Sequence, residues 1–206
     1  MIQRSLHLFT GLCLVLAACS DSDSSTGTGG TAGAGGTGGT GAAGGGGGSQ
    51  YAALYDCEET AFAEAKPLSG PNFDLSMGGF LTEPATDTFV VHATQIYFTE
   101  EQYDPFYAMA GKVIGELAST EGLIAWTVGG DDACGVARTM GLWESEEALY
   151  KFIATGAHAE AMAKTTELSL TGRTTHFTVS KEEAEALSWD VARQKLEAIE
   201  PSAVYE

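Results

Sequence analysis

Three histidines, His92, His158 and His176, are the side chains in this sequence best suited to moving protons near neutral pH. An unperturbed imidazole titrates at about 6.5. None of the three stands at a spacing that would gather metal ligands locally, so no metal and no other cofactor is expected. His158 precedes Met162 by one helical turn, and the two therefore share a face. Two roles fit His158. It can carry a proton or donate a hydrogen bond at a cavity mouth, or it can cap a helix end near Gly156, where a carbonyl or amide is set free. Tyr97, Trp126, Trp143 and Arg138 complete the set. An aromatic-lined cavity with one or two polar groups suits an apolar, planar compound, while the same aromatics could equally serve to pack a sheet against its helices. The feature expected to discriminate is whether the sheet face bearing Trp126 and Arg138 encloses an open pocket. No Gly-rich phosphate loop joins a strand to a helix, and no Ser/His/Asp arrangement has recognisable surroundings.

The elements that must hold these residues alternate in period. Phe89 to Phe98 is β-branched and aromatic and reads as a strand carrying His92 and Tyr97. Thr99 and Gln102 have capping-box spacing, and Asp104-Pro105 offers a second start, so a short turn and then a helix from about Pro105 are expected. Leu123 to Val128 forms a second strand, Gly129 to Asp132 a turn, and Val136 to Trp143 a third strand. Ser145 caps a second helix broken at Gly156. Thr174 to Val179 is the fourth strand, and Ser180 with Glu183 opens a last helix ending near Pro201. The order β-α-β-β-α-β is the ferredoxin-like split βαβ arrangement, an α+β fold. In its strand order, 4-1-3-2, His92 and His176 fall on adjacent strands.

The chain has 28 acidic residues, all after Cys19, against ten Lys and Arg, and a formal net charge of −18. Such a surface repels nucleic-acid phosphates, which excludes nucleic acid as a partner. Fourteen of the 27 glycines lie between Gly27 and Gly48. That stretch has no aromatic or branched apolar residue and cannot offset its ordering entropy, so 19–49 reads as a flexible tether. Residues 50–85 read as an extension with a short helix near Ala52 to Ala65, and residues 86–206 as one ferredoxin-like domain with a C-terminal helix. Ahead of the tether, Arg4 and the apolar run from Leu8 to Ala18 look like a secretory signal, too short to span a bilayer. In the oxidising compartment this implies, Cys57 and Cys134 are expected to pair; two unrelated thiols are the alternative.

Leu16-Ala17-Ala18-Cys19 resembles the lipobox of bacterial lipoproteins. The resemblance implies removal of residues 1–18, acylation of Cys19 and anchoring in a membrane of the cell envelope. Ser20, where an inner-membrane retention signal would show Asp, points to the outer membrane.

Trp143-Glu144-Ser145-Glu146-Glu147-Ala148-Leu149, Phe152 and Thr155-Gly156-Ala157-His158-Ala159-Glu160-Ala161-Met162 resemble the strand-end Trp, helix-opening Ser and Gly-x-His-x-x-Ala-Met helix of the dimeric α+β barrel superfamily. That superfamily includes antibiotic-biosynthesis, spheroidene and haem-degrading monooxygenases. The resemblance implies a homodimer with sheets face to face, shielding Val91, Ala93, Trp126, Met140 and Phe177. It also implies a cavity in which an electron-rich substrate reacts with oxygen directly, with His158, Trp126 and Arg138 as catalytic residues and no cofactor. The positions that carry a Trp and an iron-ligating His in the haem-degrading branch hold Phe152 and Met162 here, which disfavours haem degradation. The expected function is an envelope lipoprotein with a monooxygenase-like domain acting on a small apolar or aromatic compound. The alternative is a non-catalytic, ligand-binding or self-associating lipoprotein.

Overall fold

The computed structural model describes residues 51–117 and 119–199. The signal, Cys19, the tether and the expected helix stop at Pro201 lie outside the described residues. Helix α1 (Ala52–Tyr55) leads into four two-residue strands, β1 (Ala63–Glu64), β2 (Ser69–Gly70), β3 (Phe73–Asp74) and β4 (Gly79–Phe80). The long elements follow: β5 (Thr88–Tyr97), α2 (Glu100–Leu117), β6 (Leu123–Asp131), β7 (Val136–Trp143), α3 (Glu146–Ile153), α4 (Gly156–Ala163), α5 (Thr165–Leu168), β8 (Thr171–Ser180), α6 (Lys181–Glu185) and α7 (Trp189–Glu197). The sheet runs β4-β3-β2-β6-β7-β5-β8, with every pair antiparallel. Its four long strands stand in the expected ferredoxin-like order. No helix among the described residues is long and apolar enough to cross a membrane.

Several local expectations give way to tertiary constraints. Helix α2 starts at Glu100 and runs through Pro105, because the Thr99–Gln102 capping box forms in both directions. Phe98 also stacks on Phe106 at 4.6 Å, fastening the first turns. Strand β6 continues through Gly129-Gly130. The hairpin turn moves on because Asp131 Oδ1 accepts the amides of Ala133 and Cys134. The last helix is two helices. The Ser180/Glu183 capping box opens α6, Leu187 is buried, and Ser188 caps α7 anew. The short helix near the N-terminus is one turn, and the rest of the extension adds edge strands to the same sheet.

Strand alternation gives the sheet two apolar faces. On one, Val90, Ile96, Val128, Ala137 and Trp143 meet Phe106, Val113, Leu149, Phe152 and Ala161 of the helices. On the other, Phe89, Val91, Ala93, Met140, Leu142 and Val179 are covered by Leu68 and Phe73 of the extension and by Leu187, Ala192 and Leu196 near the C-terminus. Val91, Ala93 and Met140, expected to be shielded by a second copy, are already buried by the same chain. Phe177 lies half-buried on that face beneath Lys195, whose Nζ is 5.0 Å from the ring. Trp126 is not on that face at all.

Cys57 and Cys134 are bonded, with their Cα atoms 5.9 Å apart, which ties the extension to the β6–β7 turn. A bond across 77 positions stabilises by roughly 4 kcal/mol in the chain-entropy model.

Candidate functional site

Two places gather polar side chains, one on each face of the sheet. On the helix side, His92 and His176 are register partners across β5 and β8. His92 is buried, and its Nδ1 accepts a hydrogen bond from Trp143 Nε1 at 2.7 Å. That bond puts the imidazole proton on Nε2, which finds no partner among the described residues. Burial pushes the His92 pKa down to about 3, helped by His158 and His176, so the ring is neutral at physiological pH. Gly141 sits opposite His92 on β7, where a Cβ would lie 2.4 Å from the imidazole Cε1. Only a residue without a side chain leaves room for the His92–Trp143 pair.

Phe152 joins this pair to His158, with ring centroids 5.2 Å from Trp143 and 4.7 Å from His158. His158 is fully buried, with Nδ1 3.1 Å from the carbonyl oxygen of Ile153, the last residue of α3. Gly156, at φ +58°, makes the sharp turn between α3 and α4, and Glu116 accepts the freed Ala157 amide there. Trp126 faces the same interior, with the Lys66 ammonium 4.0 Å from its ring. Burial lowers the Lys66 pKa to about 8. The space left among His92, Trp126, Trp143, Thr139 and Phe152 is about 10 Å³, room for one water at most. His176 stands outside it, exposed, beside Tyr150 and Glu146.

Arg138 belongs to the other face. Its cross-strand partner on β6 is Gly129, three residues from Trp126, so strand alternation sends the two side chains to opposite sides. The three residues expected to act together, His158, Trp126 and Arg138, therefore do not share a site. Side chains fill the Trp126 face, and a polar cleft opens on the Arg138 face.

That cleft has a volume of about 260 Å³ and is lined by Tyr55, Cys57, Glu59, Gln95, Arg138, Arg173, Arg193 and Glu197. Register places Arg138, Gln95 and Arg173 side by side across β7, β5 and β8. Glu59 accepts from Arg138 Nε at 2.9 and 3.0 Å and from Arg193 at 3.2 Å. The Arg138–Glu59 pair is nearly enclosed, with side chains 7% and 9% exposed. Arg173 has no carboxylate partner among the described residues. Its guanidinium lies 4.2 Å from the Tyr55 ring, and its buried Nε lacks a hydrogen-bond acceptor. The Tyr55 hydroxyl meets Thr171 Oγ1 at 3.0 Å, and its ring packs edge-on against Tyr97 at 4.8 Å. Burial raises the pKa of both tyrosines, so both stay protonated. Gln95 Nε2 donates to the Tyr97 hydroxyl at 2.7 Å. Sequence reasoning reached Arg138 and Tyr97 here, and Cys57 as a disulfide partner, and missed the rest. Two-residue alternation back from Tyr97 in the first strand would have found Gln95, whereas Arg173 lies one residue before the fourth strand as read from the sequence and enters only because β8 begins at Thr171. No local signal marks Tyr55, Glu59 or Arg193.

Among the described residues no group of three or more His, Cys, Asp or Glu side chains could hold a metal ion. No protein-family model and no curated protein matches the chain. Solved structures with a similar fold include a candidate monooxygenase from Lactobacillus acidophilus, with 16% identity, a TM-score of 0.40 and coverage of 47% of this chain and 49% of that one. A second candidate monooxygenase, from Fusobacterium nucleatum, is 11% identical with a TM-score of 0.44, over 57% of this chain and 52% of that one. A ferredoxin-fold protein related to antibiotic biosynthesis monooxygenases, from Listeria monocytogenes, is 18% identical with a TM-score of 0.37, over 43% and 54%. The chain thus spans about half the length of each. At these identities the likeness is one of fold alone.

Proposed function

We propose that the chain is an outer-membrane lipoprotein, anchored through Cys19, whose tethered domain binds a small polar ligand without transforming it. One observation carries the binding part. The aromatic interior under the helices is filled to about 10 Å³, while the polar cleft on the opposite face holds about 260 Å³. A cavity of the smaller size admits no organic substrate; the larger is slightly below the usual range for small-molecule sites, about 300–1,000 Å³. The anchoring part rests on the lipobox-like run ending at Cys19, on Ser20 after it and on the Gly-rich stretch that follows. About thirty residues of such coil span on the order of 30 Å root-mean-square, enough to hold the domain clear of the lipid. The acidic surface keeps it soluble and away from anionic headgroups.

A second reading is favoured by His92. Its Nε2 proton points from a buried, neutral imidazole in an aromatic surrounding, as a hydrogen-bond donor to a substrate oxygen would. On that reading the interior opens around Trp126 and the fold acts as a cofactor-independent oxygenase. Two measurements on the folded domain separate the readings. A thermal-shift screen over small metabolites is expected to find a stabilising compound, and an oxygen electrode charged with quinols and polyphenols is expected to stay flat. Oxygen uptake that disappears in His92→Ala would replace the binding reading with the oxygenase one.

A further inference from the structure

We infer that the cleft takes a small monocarboxylate, with Arg173 as the residue that holds its carboxylate. This rests on the ligand-binding reading above and names the ligand class. The charge balance of the cleft sets the ligand's charge. Three guanidinium groups, from Arg138, Arg173 and Arg193, line the cleft; among the described residues Arg138 pairs with Glu59, Arg193 with Glu59 and Asp190, and Arg173 with no carboxylate. Glu59 lies between Arg138 and Arg193 and meets both. Arg173 is left with the Tyr55 ring beneath it and no ion-pair partner among the described residues.

A guanidinium presents its donors as a planar fork matched to the two oxygens of a carboxylate. The Tyr55 ring, 4.2 Å from the guanidinium carbon, restrains that fork, and Tyr55 is itself held by Thr171, by Tyr97 and by the disulfide two residues on. Arg173 Nε is buried and finds no hydrogen-bond acceptor among the described residues. Gln95 lies next to it across the strands and uses its amide nitrogen on Tyr97, leaving its amide oxygen to accept from a hydroxyl on the ligand. A dianion such as phosphate would leave the cleft with excess negative charge inside an already acidic molecule, so a monoanion is the better fit.

The test uses the folded domain and four probes: acetate, L-lactate, benzoate and inorganic phosphate. The side-chain Nε–H resonance of Arg173 in a nitrogen-15 correlation spectrum reports contact at the site. A saturable shift of that resonance with at least one of the three carboxylates is expected, together with a rise in Tm. Arg173→Gln should weaken that binding at least tenfold, and Arg173→Lys should restore it only in part, since charge returns without the fork. Tyr55→Leu, which keeps all three arginines, should weaken it several-fold. Equal carboxylate affinity in wild type and Arg173→Gln would overturn the inference, as would phosphate binding in preference to the carboxylates. So would an unmoved Arg173 resonance at saturating probe. Failure here, alongside a different stabilising compound from the metabolite screen, would leave the binding reading standing and remove only the ligand class. A screen with no stabilising compound would remove both.

Discussion

A histidine buried against Trp143 and near two other imidazoles must give up its charge to remain folded, and His92 does so. The unfolded chain protonates it near pH 6.5, the folded chain only near 3. Between those values the unfolded state binds more protons, so stability is lost as pH falls through that window, by up to about 1.4 kcal/mol per pH unit. His92→Gln cannot take up the proton. Melting curves of the two proteins should therefore diverge between pH 7.5 and pH 4.5, with wild type losing more; parallel losses would mean that the ring is not buried neutral. Across the sheet, Glu59 holds two guanidinium groups in a nearly enclosed place. Glu59→Ala leaves the buried Arg138 uncompensated, while Arg193 keeps Asp190, and should cost about 3–5 kcal/mol in denaturant titrations. Arg138→Met added to it should recover part of that loss, which a purely steric effect of the first change would not allow.

Among the elements, α2 carries an internal contradiction. Pro105 lies inside an 18-residue helix and has no amide hydrogen for the carbonyl of Glu101. The capping box at Thr99 and the stacked Phe98 and Phe106 outweigh the missing bond. Pro105→Ala should therefore stabilise the domain, by about 1–3 kcal/mol, read as a higher denaturation midpoint at unchanged slope. A fall in midpoint would show that the proline ring is needed for the contacts it makes. The extension makes the opposite point. Residues 63–80 look too short and too interrupted by glycine and proline to be structural, yet their strands continue the sheet beyond β6, and Leu68 and Phe73 cover one of its faces.

For the whole molecule, that covering has a direct consequence. A domain beginning at residue 86 would expose Val91, Met140 and Leu142, a continuous apolar surface of the kind that drives association. Light scattering is expected to find the 50–206 domain monomeric and the 86–206 fragment self-associated; a dimer of the longer piece would show that its own covering leaves a second interface. The address is tested separately. Labelling cells with a fatty acid should mark the wild-type protein and not Cys19→Ala, and equal label in both would end the lipoprotein proposal.

Residue order alone determined which segments alternate with a period of two and which with 3.6, and with them the βαββαβ succession and the order of the four long strands. It also placed the caps at Ser145 and Ser180, which form as spaced, and paired the two cysteines remaining after the tether. These are short-range decisions, made by backbone hydrogen bonds and side-chain periodicity within a few residues, or by counting. Only the tertiary structure decided what covers each face. Trp126 and Arg138 are both plausible cavity residues on adjacent strands, but whether they cooperate depends on cross-strand register, and one step of register reverses a side chain's face. The arginine cleft is less legible still. It joins Tyr55 and Glu59 from the extension, Gln95, Arg138 and Arg173 from three strands, and Arg193 from the last helix. Nothing in their local surroundings links them. They meet because the disulfide and the apolar covering of the sheet fold the extension and the last helix onto one face, and long-range burial of that kind leaves no periodic trace in the residues it brings together.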